Sequence, residues 1–149
     1  MADTEVALIT EEMATVVASV RLAYVATVNA DGTPNLSPKG SLKVVDGTHL
    51  AFANMASPGT VRNVGEGGPI EINVVVLRRR GFRFKGRATI SYEPELLEFV
   101  AGGLGPEYPV DGIVHVEVSS ASPVWSPVYD CTHQSEESVM EDFRSHYTY

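Results

Sequence analysis

Two stretches of the chain gather residue types that hold an anion. Ser37-Pro38-Lys39-Gly40 brings a hydroxyl and an ammonium, and Ser57-Pro58-Gly59-Thr60-Val61-Arg62-Asn63 brings two hydroxyls, a guanidinium and a carboxamide. Ser57 followed by Pro58 is a helix start signal. The free N–H groups and positive dipole end of such a start attract phosphate. Gly59 permits close backbone approach, Thr60 offers a hydroxyl, and Lys39 and Arg62 offer charge-assisted hydrogen bonds. The same residues also fit a capped helix beside a decorated strand. Capped helices outnumber phosphate sites, so chemistry alone favours that plainer reading.

Other chemistries find little support. No G-x-x-x-x-G-K-[ST], G-x-S-x-G or H-E-x-x-H occurs, and Gly65-Glu66-Gly67-Gly68 does not follow a strand and open a helix as a dinucleotide fingerprint must. His49, His115, His133 and His146 share no ligand spacing, and Cys131 is alone, so no metal site and no intrachain disulfide is expected. No side chain stands out as a general acid or base. The net charge of −8 excludes general nucleic-acid binding, which needs a basic face. Nine of the eleven Lys and Arg residues lie between positions 39 and 87, opposed there only by Asp46, Glu66 and Glu71, so that stretch carries +6 and the rest −14. A locally basic middle suits a small anionic ligand; ordinary solvated strand faces explain it equally simply.

The elements that must position these groups follow from periodicity. Residues 10–20 read as a helix with Thr10 as N-cap and Met13, Val16, Val17 and Val20 on one side. Residues 22–29 form a strand that ends at Asp31-Gly32, a hairpin signal because glycine accepts the positive φ such turns need. The next strand, 35–44, sets Leu36, Pro38, Gly40, Leu42 and Val44 on one face and Asn35, Ser37, Lys39, Ser41 and Lys43 on the other. Pro38 and Gly40 mark it as an edge, a bulge or a place of close approach. Strands follow at 49–54, 70–77, 82–90 and 113–118, with turns at 65–69 and at Arg78-Arg79-Arg80-Gly81, a helix at 94–101 and an acidic terminal helix. Six strands on short connections predict one mainly β domain over residues 1–149, an antiparallel barrel with small helices. The 1–20 segment carries its N-terminal helix and 122–149 its tail. Hydrophobic residues at 44% and charged residues at 20% are globular values. The acidic first turn is unlike a secretory signal, and no apolar run reaches the ~20 residues that span a bilayer. A cytoplasmic protein without membrane partners is the expectation.

The order of these motifs resembles a known family. Residues 26–40, Ala-Thr-Val-Asn-Ala-Asp-Gly-Thr-Pro-Asn-Leu-Ser-Pro-Lys-Gly, are similar to the opening hairpin of the pyridoxamine 5'-phosphate oxidase-like, FMN-binding split barrels. Thr60-Val61-Arg62-Asn63-Val64 resembles that family's T-x-x-N helix start, Phe82-Arg83-Phe84-Lys85-Gly86-Arg87-Ala88 its x-v-x-G-x-A strand, and Ser126-Pro127-Val128-Tyr129-Asp130 a tail motif of one small subgroup. The resemblance implies a dimeric split barrel, a homodimer with FMN in the groove between subunits. Ser37, Pro38, Lys39 and Gly40 would line the flavin and ribityl chain. Thr60 and Asn63, with Lys39 and Arg62, would hold the phosphate. Ala53 and Asn54 would face the isoalloxazine edge with backbone groups. The partner chain would contribute its 82–87 strand and its 125–129 tail, with Trp125 and Tyr129 as stacking aromatics or as core or dimer contacts.

Two departures bear on activity. Many relatives carry a Lys where this chain has Gly59, and the chain ends His146-Tyr147-Thr148-Tyr149 without the R-L-x-P-type segment of true pyridoxamine-phosphate oxidases. Oxidation of pyridoxamine phosphate is therefore not expected. The implied function is a small FMN-dependent oxidoreductase acting on a small-molecule substrate or electron donor, with the flavin N5 as the port for hydride or electrons. The alternatives are a non-catalytic flavin-binding or electron-shuttle module, or the same fold holding a deazaflavin or haem.

Overall fold

The computed structural model describes residues 8–20, 22–76, 81–124 and 134–147. Trp125, Tyr129, Cys131 and the three arginines of the expected turn at 78–81 lie outside the described residues. The chain runs α1 (Glu11–Ser19), β1 (Ala23–Val28), β2 (Pro34–Lys39), β3 (Lys43–Val44), β4 (His49–Ala53), α2 (Pro58–Val64), β5 (Glu66–Val74), β6 (Gly81–Ser91), α3 (Pro94–Ala101), β7 (Ile113–Val124) and α4 (Glu136–Tyr147). All strands join one antiparallel sheet in the order β2-β1-β5-β6-β7-β4-β3.

The sheet has seven strands where six were expected. The difference is a break in the strand read over 35–44. Pro34–Lys39 pairs only with β1, while Lys43–Val44 pairs only with β4. β2 and β3 thus stand at opposite ends of the strand order although only residues 40–42 separate them. Four residue steps span at most about 14 Å. The two ends of the sheet must therefore curl together, and that closure makes the half-barrel.

Local rules place several elements. Thr10 Oγ1 accepts from Met13 N at 3.2 Å and caps α1, whose Met13, Val16 and Val17 are buried. In the first hairpin Gly32 has φ +83, and Thr33 N and Oγ1 both donate to Asp31 Oδ1, at 3.0 and 2.6 Å. That turn sets the register Val28↔Pro34, Thr27↔Asn35 and Val25↔Ser37. Val25, Leu50, Phe52, Ile72, Val74, Phe84, Val114 and Val116 fill the interior, with α1 packed against them.

Two stretches differ from expectation. The turn read at 65–69 belongs largely to β5, which starts at Glu66 with an irregularity between Glu66 and Gly68. β7 runs to Val124, beyond the expected end at 118, because β6 pairs with it along its length. That pairing shifts register between Lys85 and Gly86. A Cβ on Gly86 would collide with the carbonyl of Glu117, so only glycine lets the two strands approach there. Gly86→Ala is expected to lower unfolding free energy by about 2 kcal/mol, read from a denaturant titration.

Candidate functional site

β2 turns its polar side inward. Asn35 and Ser37 are half-buried and Lys39 is buried, while Leu36 on the opposite face is 66% exposed. Opposite the inward triplet lies α2, a seven-residue helix carrying Ser57 before its start, then Thr60 and Asn63. Ser37 Oγ and Thr60 Oγ1 stand 3.4 Å apart, and Asn35 Nδ2 reaches Thr60 Oγ1 at 3.4 Å. Lys39 Nζ donates to Ser57 Oγ, which itself donates to Met55 O at 3.2 Å. Ser57 was expected to cap α2 but makes no cap bond. Its hydroxyl is turned to the Lys39 ammonium and Met55 O instead, and Pro58 at the first helical position removes one N–H that a cap would have had to serve.

Lys39 is the electrostatic centre of this cradle. Burial holds its pKa below the ordinary 10.5. Among the described residues no carboxylate pairs with it. A buried ammonium with one hydroxyl partner keeps N–H donors to spare, beside the hydroxyls of Ser37 and Ser57. Such a group favours a bound anion, whose charge would offset the cost of burying the cation.

The expected site residues divide. Ser37, Lys39, Thr60 and Asn63 come together. Thr60 is 2% exposed and forms the floor rather than the wall of the cradle. Asn63 spends its amide inside the chain, donating to Thr27 Oγ1 at 3.0 Å and Asn29 Oδ1 at 2.8 Å. Pro38 lies on the outward face, Gly40 is exposed at the break after β2, and Arg62 is exposed in the last turn of α2. Ala53 and Asn54 are buried, but their N–H groups already donate, to Ser41 Oγ at 3.0 Å and Gly112 O at 3.0 Å. Asn54 Nδ2 donates to Asp111 O at 2.8 Å, and its Oδ1 is buried without a partner. That oxygen, not a backbone N–H, is the free polar atom at this end of β4. A Cβ on Gly59 would come within 3.2 Å of Asn35 Oδ1, a tight contact with that side chain.

Thr27 and Asn35 were not singled out in the sequence. Asn35 Nδ2 donates to Thr27 Oγ1 at 3.0 Å, and Thr27 is 2% exposed. The signal was present: an Asp-Gly turn fixes the register that sets Thr27 opposite Asn35.

The outer face presents a different chemistry. Tyr24 and Val28 of β1 are about half exposed beside Leu36 and Pro38 of β2. A groove of about 550 Å³ continues this face, lined by Ala26, Val28, Pro34, Ile70, Lys85 and Arg87 among others. Near it Arg83 Nε pairs with Glu71 Oε1 at 2.8 Å, and Arg87 Nη1 donates to Gly67 O at 2.7 Å. Elsewhere His49 and His115 stack with centroids 5.0 Å apart, and Asp46 holds His49 Nδ1 at 2.8 Å. Burial, with His49 close by, lowers the pKa of His115. Among the described residues no three metal-ligating side chains converge, and no helix is long and apolar enough to cross a membrane.

A curled antiparallel sheet whose first hairpin and α2 enclose a buried lysine has the split-barrel architecture. The chain belongs to the pyridoxamine 5'-phosphate oxidase family, whose model matches residues 9–112. HupZ of Group A Streptococcus is similar at 31% identity, with 79% of this chain and 95% of that chain covered and a TM-score of 0.69. An FMN-binding protein from Syntrophomonas wolfei shares the fold at 16% identity, covering 74% of this chain and 82% of that one, with a TM-score of 0.66. An F420 reductase shares it at 21% identity over 72% of this chain and 94% of that one, with a TM-score of 0.56. No curated protein matches the sequence.

The lysine gives a test without any ligand. Its folded pKa is lowered, so the unfolded chain holds more protons in the window just below 10.5. Stability from this group is greatest above 10.5 and is lost as pH falls through the lowered folded value. Lys39→Met is expected to remove that slope and to raise ligand-free stability at neutral pH by about 1 kcal/mol, read by denaturant titration across pH.

Proposed function

We propose that the chain binds FMN at the seam of a homodimer and works as a small flavin-dependent oxidoreductase. The observation that carries the reading is the buried Lys39 ammonium, which meets the Ser57 hydroxyl and no carboxylate among the described residues. That donor set fits a phosphomonoester. Lys39 and Ser37 would hold the phosphate oxygens over the floor made by Thr60, while Asn63 fixes α2 behind them. Asn54 Oδ1, three residues before Ser57, is an acceptor of the kind a flavin imide N–H needs. Bound FMN would supply hydride or electron transfer at its ring, and the chain's residues would bind and orient it. The match of a family model and the shared fold with an FMN-binding protein support the cofactor class.

The homodimer rests on the apolar outer face. Tyr24, Ala26, Val28, Pro34, Leu36 and Pro38 point the same way from two paired strands and run into the lined groove. Contiguous exposed apolar surface of this kind marks an interaction site. A second copy would cover it and bring its own 82–87 strand toward the cofactor. The substrate is a small molecule or an electron donor, in a cytoplasmic setting.

Purified protein is expected to carry the two-band flavin absorbance and to bind FMN in titration. Lys39→Ala combined with Thr60→Val is expected to weaken that binding by about a hundredfold, since a hydrogen bond to a charged group contributes roughly 1.5–3 kcal/mol. Unchanged affinity would remove the phosphate assignment. In sedimentation the wild type should run at twice its 16.1 kDa mass, and Leu36→Glu should shift it to the monomer and weaken FMN binding with it. A monomeric wild type that binds FMN tightly would contradict the shared site. Turnover with NADH or NADPH separates an oxidoreductase from a flavin carrier, which would bind without turning over.

A further inference from the structure

Resting on the cofactor reading above, we infer that Thr27 is a positioning residue of the phosphate cradle, its buried hydroxyl clamping α2 to the first hairpin and fixing the groups that face the phosphate. A hydroxyl has two lone pairs and one proton. Thr27 Oγ1 accepts from Asn35 Nδ2 of β2 and from Asn63 Nδ2 of α2, each at 3.0 Å. One oxygen atom on β1 therefore ties three elements together. Asn63 also reaches Asn29 Oδ1 at 2.8 Å, so the end of α2 is anchored at both sides of Thr27. The Asn63 amide is thus spent on β1 and the first turn rather than on the cradle.

The second arm sets the hydroxyls. Asn35 Nδ2 sits 3.0 Å from Thr27 but 3.4 Å from Thr60 Oγ1, and Ser37 Oγ is also 3.4 Å from Thr60. While Thr27 draws the amide toward β1, Thr60 and Ser37 keep long contacts and free orbitals. With Thr27 lost, the remaining partner of the Asn35 amide is Thr60. The amide closes on it, and the Thr60 and Ser37 hydroxyls turn away from the phosphate. Gly59 borders the same group: a Cβ there would press on Asn35 Oδ1 at 3.2 Å.

The test compares FMN with riboflavin, which lacks the phosphate, on the full chain. Wild type, Thr27→Val, Thr27→Ser and Asn35→Ala are titrated with both flavins, with melting temperatures measured alongside. Thr27→Val is expected to weaken FMN binding about tenfold while riboflavin binding holds, and Thr27→Ser is expected to restore FMN. A Thr27→Val protein that loses both flavins equally, or neither, overturns the inference, because a packing role alone would move the melting temperature and not the ratio of the two affinities. If Thr27→Val does not fold, Asn35→Ala decides: a lowered preference for FMN supports the clamp, and an unchanged preference overturns it. A wild type that binds FMN no better than riboflavin overturns the cradle and this inference with it. A wild type that prefers FMN, with variants that share its preference, overturns the inference alone.

Discussion

Lys39 carries a positive charge into the side of a β-strand that faces protein, where only a serine hydroxyl meets it among the described residues. An ammonium out of water costs several kcal/mol unless an opposite charge or a full set of acceptors offsets it. Much of the surrounding structure answers to that cost. Ser57 meets the lysine and makes no bond to the helix start, and α2 begins on Pro58, which has no N–H to cap. Ser37 and Thr60 place oxygens next to the same space, and Thr27 with its two asparagines holds the frame around them. A fold selected for stability alone would put a methionine at this position. Under the proposed reading, a bound anion would complete that charge.

The cradle and the apolar outer face are two sides of one strand. Side chains alternate along β2, so turning Asn35, Ser37 and Lys39 inward turns Leu36 and Pro38 outward. A one-residue slip would exchange them, burying leucine against polar α2 and leaving the lysine in solvent. The Asp31-Gly32 turn and the pairing of Thr27 with Asn35 hold that register. The break at residues 40–42 then sends the chain from one end of the sheet to the other. This curls the sheet and brings Ser41 under Ala53, to which its Oγ is hydrogen-bonded. Inward polar row, exposed apolar face and barrel closure thus follow from one ten-residue stretch.

Much of this was legible in the residues. The Asp-Gly hairpin, Thr10 as a cap, the helices of α2 and α3, and the alternation of β2 each depend on neighbours within a few positions, and each could be read without the fold. The order of motifs sufficed for the family, and Ser37, Lys39, Thr60 and Asn63 were recognised as a group. Errors appeared where a distant partner decides. The strand over 35–44 divides because its two halves pair with β1 and β4, which local alternation cannot reveal. Residues 66–69 look like a turn from their glycines and proline, yet β6 draws them into a strand. The structure places Arg62 in solvent, on the side of α2 away from buried Thr60.

The sequence by itself determined the Asp31-Gly32 turn, the Thr10 cap, the two-residue period of the strands and the family, because these rest on backbone geometry and short spacings. Only the tertiary structure decided which face of β2 points inward, that Lys39 is buried among hydroxyls, that Asn63 braces a helix, and that Thr27 stands at the centre of the frame. The physical reason is that burial and hydrogen-bond satisfaction belong to groups brought together from far apart in the chain. Whether a polar side chain is a ligand, a brace or a surface decoration is set by which of those distant groups reaches it first.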